Sequence, residues 1–432
     1  MSHKSTFKCL LFLLLFLSGP IISHANVLDA IRLAKKMTQS ELLSDNFDSL
    51  TFPFQIVNNW IVVEVNVESN GREVPAKFML DSGAPTVISD KLATDNHFPQ
   101  EKVAVAADII NTPDGLKSAP EHLAQNLIFK MGAYKVKKDN TLVRHLDNDY
   151  GMSCNDIDGL LGIDFLSHAT LLLDFDHKTI TFIHAGKFQP AAYGLSDYWK
   201  FSSYSLVQKT PYLDVKINGQ KESAIIDLGY NGAVLMQFRN PKHKDARQFL
   251  NAAGKQTVET FGALATINGV SARKGTQYLQ AAATLEQKKE LINRFSVSFL
   301  VNEKLKEDKV NIGVGLLKNY LVAIDWQDKK MYLKQQKSIA ASELPPLFHV
   351  AYFPLIQKFC VSFVSTDSKW YQNGLHAGDT VTAINGKKLE NLITENNGNV
   401  CAIRQELSQL NEQIKTVMLK SKAKQERTIS VE

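Results

Sequence analysis

The apolar and polar positions divide the chain into stretches of different period. Cys9 to Leu17 is an unbroken apolar run. Val27, Ile31 and Ala34 fall at helical spacing, as do Leu28 and Ile31, and Leu42 and Leu43 are expected to continue that face. From Phe52 the period shortens. Trp60 to Leu80 alternates in β-branched and apolar runs about Ser69-Asn70-Gly71, and Asn-Gly between such runs predicts a hairpin. The same arrangement returns at Pro211 to Ile226 about Asn218-Gly219. Towards the end, a helix is predicted around Val400 to Leu410, followed by strands at Ile414 to Lys420 and Thr428 to Glu432.

Two motifs recur. The apolar strand that runs into FMLDSGAPTVIS (Phe78 to Ser89) has a counterpart in AIIDLGYNGAVLM (Ala224 to Met236). IDGLLGIDFLSHATLLLDFDHKTITF (Ile157 to Phe182) has one in NIGVGLLKNYLVAIDWQDKKMYL (Asn311 to Leu333). Asp81 and Asp227 are 146 positions apart, Gly162 and Gly313 are 151 apart. Two motifs in the same order at nearly one offset predict an internal duplication with a small indel. The expected organisation is a helical segment over residues 26–50, two β lobes over 51–190 and 200–335, a linker at Gln335 to Pro346, and a third domain over 347–432.

The first 25 residues change this picture. Lys4 and Lys8 precede the apolar run, and Ser23-His24-Ala25 places small residues three and one positions before Asn26. This three-part pattern predicts a cleaved signal peptide over 1–25 and export to a periplasmic or extracellular location. The apolar run is too short to cross roughly 30 Å of hydrocarbon, and no later run is long enough, so no membrane span is expected. Removing the segment lowers the formal net charge from +5 to +3. Lys135, Lys137 and Lys138, like Lys420, Lys422 and Lys424, are interleaved with other residue types and are read as solvated faces, and no nucleic-acid partner is expected. Three cysteines remain, Cys154, Cys360 and Cys401. Cys360 and Cys401 share one segment and either pair or stand as separate buried thiols. No cysteine or histidine spacing suits a metal, so neither a metal nor a cofactor is expected.

The candidate chemistry lies at the first repeated motif. Phe78-Met79-Leu80 runs into Asp81-Ser82-Gly83, where the glycine permits a tight turn, and Ala84-Pro85-Thr86 leads out. A carboxylate at the end of a buried strand is exposed at a cleft yet held by a rigid core. Asp227-Leu228-Gly229 occupies the matching place. If the two loops meet, the carboxyls share a proton, because like charges at that distance cannot both ionise easily. One then activates a water and the other polarises a carbonyl. Asp164, Asp174 and Asp325, beside the second motif, are read as turn caps.

These residues resemble the retropepsin-like aspartic peptidases of the pepsin and retropepsin superfamily. The likeness spans about Phe52 to Leu333 and rests on DSGA at Asp81 to Ala84 and on Leu160-Leu161-Gly162-Ile163-Asp164-Phe165-Leu166, with a looser copy at Ile312-Gly313-Val314-Gly315-Leu316-Leu317. It implies a mainly β chain of two closed lobes about a pseudo-twofold axis. Asp81 and Asp227 would be the catalytic pair, and Ser82, Gly83, Gly229, Gly162 and Gly313 would support their loops. Hairpin flaps would cover a peptide or protein substrate near Asp114-Gly115 and Asn268-Gly269. One chain supplies both carboxyls, so a monomer is expected. The family normally carries a hydroxyl residue after each catalytic Asp, and Leu228 departs from that. The departure leaves two readings open, an active endopeptidase and a peptide-binding protein without activity; a structural envelope protein is a third. Ala84 and Tyr230 follow the turns where a small hydroxyl residue is usual, which predicts a raised lower pKa for the pair.

The third domain resembles a bacterial PDZ domain, through Gly374-Leu375-His376-Ala377-Gly378-Asp379 followed by Ile384-Asn385-Gly386. The resemblance implies an α+β fold with turns at Gly374, Leu375, Gly378 and Asp379. It also implies a peptide ligand added as a strand in a groove formed by the segment near Phe359 to Val364 and the helix at Val400 to Leu410. The alternative is a domain that only packs on the lobes.

Overall fold

A computed structural model describes residues 24–44, 46–103, 110–111, 117–118, 122–146, 150–203, 209–217, 220–238, 257–262, 264–266, 269–271, 274–284, 291–301, 309–336, 347–420 and 426–430. Of the expected signal peptide over 1–25, residues 1–23 lie outside these residues, as do the linker core and the Asn218-Gly219 turn, while His24 and Ala25 open a helix. The described chain is mainly β.

The alternating segments after Phe52 form a closed sheet. Its strands are β1 (Trp60–Ser69), β2 (Arg72–Leu80), β3 (Val87–Ser89), β4 (His122–Met131), β5 (Tyr134–Arg144) and β6 (Gly159–Leu161). The pairing runs β1–β2–β6–β3–β5–β4 and returns to β1. Asn70 and Gly71 both take positive φ at the β1–β2 turn, as a two-residue hairpin requires. Inward residues such as Val63, Val65, Val67, Phe78 and Leu80 fill the interior. Each large side chain buried there contributes roughly 1.5–3 kcal/mol.

A second closed sheet follows the same plan with β7 (Pro211–Ile217), β8 (Gln220–Ile226), β9 (Val234–Phe238), β10 (Lys274–Thr284), β11 (Leu291–Val301) and β12 (Lys309–Ile312). Its order is β7–β8–β12–β9–β11–β10 and back to β7, with parallel and antiparallel pairs in the same places. Between the barrels lies a six-stranded sheet. Its central pair joins Thr170–Asp174 to Tyr320–Asp325, matching Leu171 with Ile324 and Leu173 with Val322. Strands that follow equivalent motifs thus pair with each other, and this continuous apolar seam sets the lobes side by side.

The N-terminal segment departs from expectation after its helix. Helix α1 (His24–Thr38) buries Leu33 and Met37 against the first barrel, but Leu42 lies in a strand, Glu41–Leu42, paired with Val136 of β5. The helix stops because the chain turns to add an edge strand, and pairing overrides the apolar spacing at Leu42.

The C-terminal unit contains β13 (Phe348–Phe353), β14 (Lys358–Ser365), β15 (Thr380–Ile384), helix α2 (Val400–Asn411), β16 (Thr416–Lys420) and β17 (Glu426–Ser430) around its own core. Asn399 caps α2 by accepting from the N–H groups of Cys401 and Ala402. Gly374 and Gly378 take positive φ, Leu375 is buried, and Asp379 accepts from the His376 N–H. The expected groove strand does not stand at an edge. β14 pairs with β13, with β15, and with Thr257–Phe261 of the second lobe, so its backbone is occupied on both sides. The strand facing α2 is β13, and the Asn411 side chain already bonds both the N–H and the carbonyl of Val350 there.

The cysteine expectation is also corrected. Cys154 and Cys401 form the disulfide, joining the first lobe to the start of α2, and Cys360 is a buried free thiol whose pKa burial pushes up to about 11. Cys360 is buried within β14, whereas Cys401 sits on the first turn of α2 and reaches Cys154 of the first lobe. Among the described residues, no helix is long and apolar enough to cross a membrane.

Candidate active site

Asp81 and Asp227 each follow the last residue of a central barrel strand, β2 and β8. Their N–H groups donate to Leu161 and Ile312, both at 2.9 Å, so each loop hangs from the strand parallel to its own. Within each loop the carboxylate folds back to accept from the glycine two residues on, Gly83 at 2.7 Å and Gly229 at 3.0 Å. The two loops meet. A Cβ on Gly229 would lie 2.6 Å from Cγ of Asp81, and one on Gly83 would lie 3.3 Å from Cγ of Asp227. A side chain at Gly229 would therefore collide with the opposite carboxyl, and one at Gly83 would crowd it.

Behind the loops, a Cβ on Gly162 would sit 2.2 Å from the Pro85 carbonyl carbon, and one on Gly313 would sit 2.2 Å from the Tyr230 oxygen. Ile163 N–H donates to Ala84 and Val314 N–H to Tyr230, both at 2.9 Å. The second motif in each lobe thus backs the first.

Both carboxyls are half-buried, open enough to reach and dry enough to resist charge. Asp81 is pushed up to about 7, first by desolvation and then by the charge of Asp227. Asp227 is also raised by desolvation, against the opposing pull of its hydrogen bonds from Asn311, Gly229 and Tyr230. Burial, rather than the absence of hydroxyls at Ala84 and Tyr230, is the first cause of both shifts.

The brace between the loops is one-sided. The Ser82 hydroxyl, fully buried, donates to the Ile226 carbonyl at 2.7 Å and accepts from the Leu228 N–H at 3.0 Å. Leu228 is fully buried and contributes no hydroxyl. A second tie crosses from the first lobe, where the Trp60 indole N–H donates to the Gly229 carbonyl at 3.1 Å. Nearby, Asn231 donates to Asn58 and Lys318 to Asn59. Ser82→Ala leaves a buried N–H and a carbonyl unpaired and is expected to lower stability by about 1–3 kcal/mol in denaturant unfolding. A variant as stable as the parent would show that the hydroxyl bridge contributes nothing.

Of the flap residues, Asp114, Gly115 and Asn268 lie outside the described residues. The strands flanking them pair as hairpins, Ile110 with Ser118 and Thr266 with Gly269.

Sequence reasoning missed three groups. Asn311, which opens the second copy of the Gly motif, donates to Asp227 at 2.7 Å. Asp164 is not a turn cap. Its buried carboxylate accepts from the N–H and hydroxyl of Thr86 and pairs with Lys138. Lys138 is likewise no solvated residue, but fully buried, and it also donates to the Met37 carbonyl at 2.8 Å. The signal was present in β5, where Tyr134, Val136 and Lys138 alternate onto the inner face. Asp174 and Asp325 do cap turns, accepting from the N–H groups two and three residues on.

Two adjoining carboxyls whose pKa values are both raised can act as acid and base on one water, which is the chemistry of a hydrolase. Residues 63–165, which include β2, Asp81 and the Gly162 element, match the model of an aspartyl protease family. No curated protein sequence matches the chain. Among solved structures, conglutin gamma, a basic 7S globulin from lupine seeds, is similar at 11% identity and a TM-score of 0.40, over 68% of this chain and 96% of that one. Basic 7S globulin from soybean is similar at 9% identity and a TM-score of 0.39, over the same shares. Likenesses this weak carry no functional conclusion.

Proposed function

We propose that the protein is an exported aspartic endopeptidase, acting as a monomer of two duplicated lobes on extended peptide or protein substrate. The observation that carries the reading is the meeting of Asp81 and Asp227 from equivalent loops of two barrels with the same strand order. In the reaction, the ionised carboxyl takes a proton from water as the oxygen attacks the peptide carbonyl, and the protonated one gives its proton to the carbonyl oxygen. Collapse of the tetrahedral intermediate breaks the C–N bond as the amine nitrogen takes up a proton.

The test is cleavage of an unbiased peptide library by residues 26–432 between pH 3 and 8. The alkaline limb of kcat/KM is expected near pH 7, because activity needs the proton on Asp81 and that proton is lost as pH rises through about 7. The acid limb falls above the ordinary carboxylate range, because Asp227 is raised as well. A maximum near roughly pH 2–3, where a low-pKa pair works, would reject this account.

Leu228 favours the second reading, a peptide-binding protein without activity. Folded protein that binds library peptides and cleaves none would establish it.

For the C-terminal unit we propose a PDZ-type domain. The turns at Gly374 and Gly378 support the type. The pairing of β14 with Thr257–Phe261, the hydrogen bond from Tyr371 to Glu259 at 3.0 Å and the disulfide to Cys154 favour packing on the lobes as its first role. An added peptide strand would have to displace Asn411 from Val350.

A further inference from the structure

The two barrels correspond strand by strand, so a difference at one equivalent position can be read directly. Leu160 of β6 pairs with Met79 and with Val87. Its equivalent in the second barrel is Asn311 of β12, paired with Ile225 and with Leu235. An apolar residue beneath one loop is thus an amide beneath the other. Asn311 is buried, and its side-chain nitrogen donates to Oδ2 of Asp227 at 2.7 Å, while Gly229 N–H serves Oδ1. Among the described residues, the donors to Asp81 are the backbone N–H groups of Gly83 and Ala84. Among the described residues, the titratable groups facing Asp227 are Asp81, from the opposite loop, and Tyr230, from its own, whose hydroxyl is bonded to Ser298.

We propose that Asn311 is a positioning residue that breaks the symmetry of the carboxyl pair, holding Asp227 as the water-activating carboxylate and leaving the shared proton on Asp81. The assignment rests on the peptidase reading for its catalytic meaning but not for its physical content. An amide N–H donates and cannot accept, so it bonds the ionised carboxyl more strongly than the protonated one and favours the charged form. Leu228 removes a hydroxyl from this loop, and Asn311 supplies a donor from the strand behind it.

The test is titration of the full chain carrying 13C-carboxyl aspartate, followed by NMR. In an Asp81→Asn background, Asn311→Leu, which copies the first barrel, is expected to raise the Asp227 midpoint by about one pH unit. In an Asp227→Asn background, the same change is expected to leave the Asp81 midpoint in place. Asn311→Ala repeats both measurements without added bulk. Equal shifts in the two backgrounds, or none in either, would overturn the assignment. Cleavage is assayed on the parent protein in parallel. An asymmetric titration without cleavage overturns only the peptidase reading, and cleavage with a symmetric titration overturns only the role of Asn311.

Discussion

Asp81→Asn is expected to reduce peptide cleavage by at least about 10³-fold at mildly acidic pH while making the folded protein more stable at pH 8 than its parent. The loss of rate follows from removing one half of an acid–base pair, a contribution of roughly 10²–10⁴-fold for a single positioned proton donor. The amide also cannot share a proton with Asp227. The gain in stability comes from the same burial. The Asp81 carboxyl ionises near pH 7 in the fold, against 3.8 for the ordinary group. A group raised in this way contributes stability that is fully present below pH 3.8 and is lost as pH rises through about 7. Asn carries no charge and escapes that loss. The difference in melting temperature between variant and parent should therefore grow from pH 4 to pH 8. A variant that cleaves like its parent would end the dyad account. A stability difference that shrinks with pH would end the desolvation account.

Lys138→Met is expected to be the most damaging change away from the carboxyl pair, costing about 3–5 kcal/mol. The ammonium is fully buried between the Asp164 carboxylate and the Met37 carbonyl. Without it, Asp164 keeps its bonds from Thr86 but lies uncompensated in a dry interior. The damage reaches the active loop, because the Thr86 hydroxyl also accepts from the Gly162 N–H at 3.0 Å. It reaches the N-terminal segment as well, because Ser40 donates to the Asp164 carbonyl at 2.7 Å and contacts His168. Urea unfolding of Lys138→Met beside Lys138→Met/Asp164→Asn separates the causes. The double variant removes the stranded charge and should recover a substantial part of the loss. A single variant within 1 kcal/mol of the parent would show that the pair is not what fastens these segments together.

Much of the site could be read from the chain. The strands leading to Asp81 and Asp227 are short apolar runs. Each ends at a turn that needs glycine, and the glycine of the second motif recurs where the turn must be backed closely. The strand and its turn are local requirements, written within about a dozen residues, whereas the glycine that backs each turn stands more than 80 positions further on and is legible because it recurs in both halves. Where reading failed, the partner was remote. Lys138 looked like one charge in a basic cluster because Asp164 is 26 residues away. Asn311 looked like part of a turn motif because its acceptor is 84 residues back. Cys401 shares a segment with Cys360, whereas its disulfide partner is 247 residues away.

The sequence by itself determined the mainly β character, the two repeated Asp turns and the glycines beneath them, because period-two burial and turn chemistry depend on neighbours along the chain. Tertiary structure alone decided that β14 is paired on both edges, that Trp60 ties the first lobe to the second loop, that Lys138 is buried, and that an amide stands under only one of two matching carboxyls. Each of these depends on which strand closes a barrel against which. That closure is set by the packing of whole faces, which no short stretch of residues encodes.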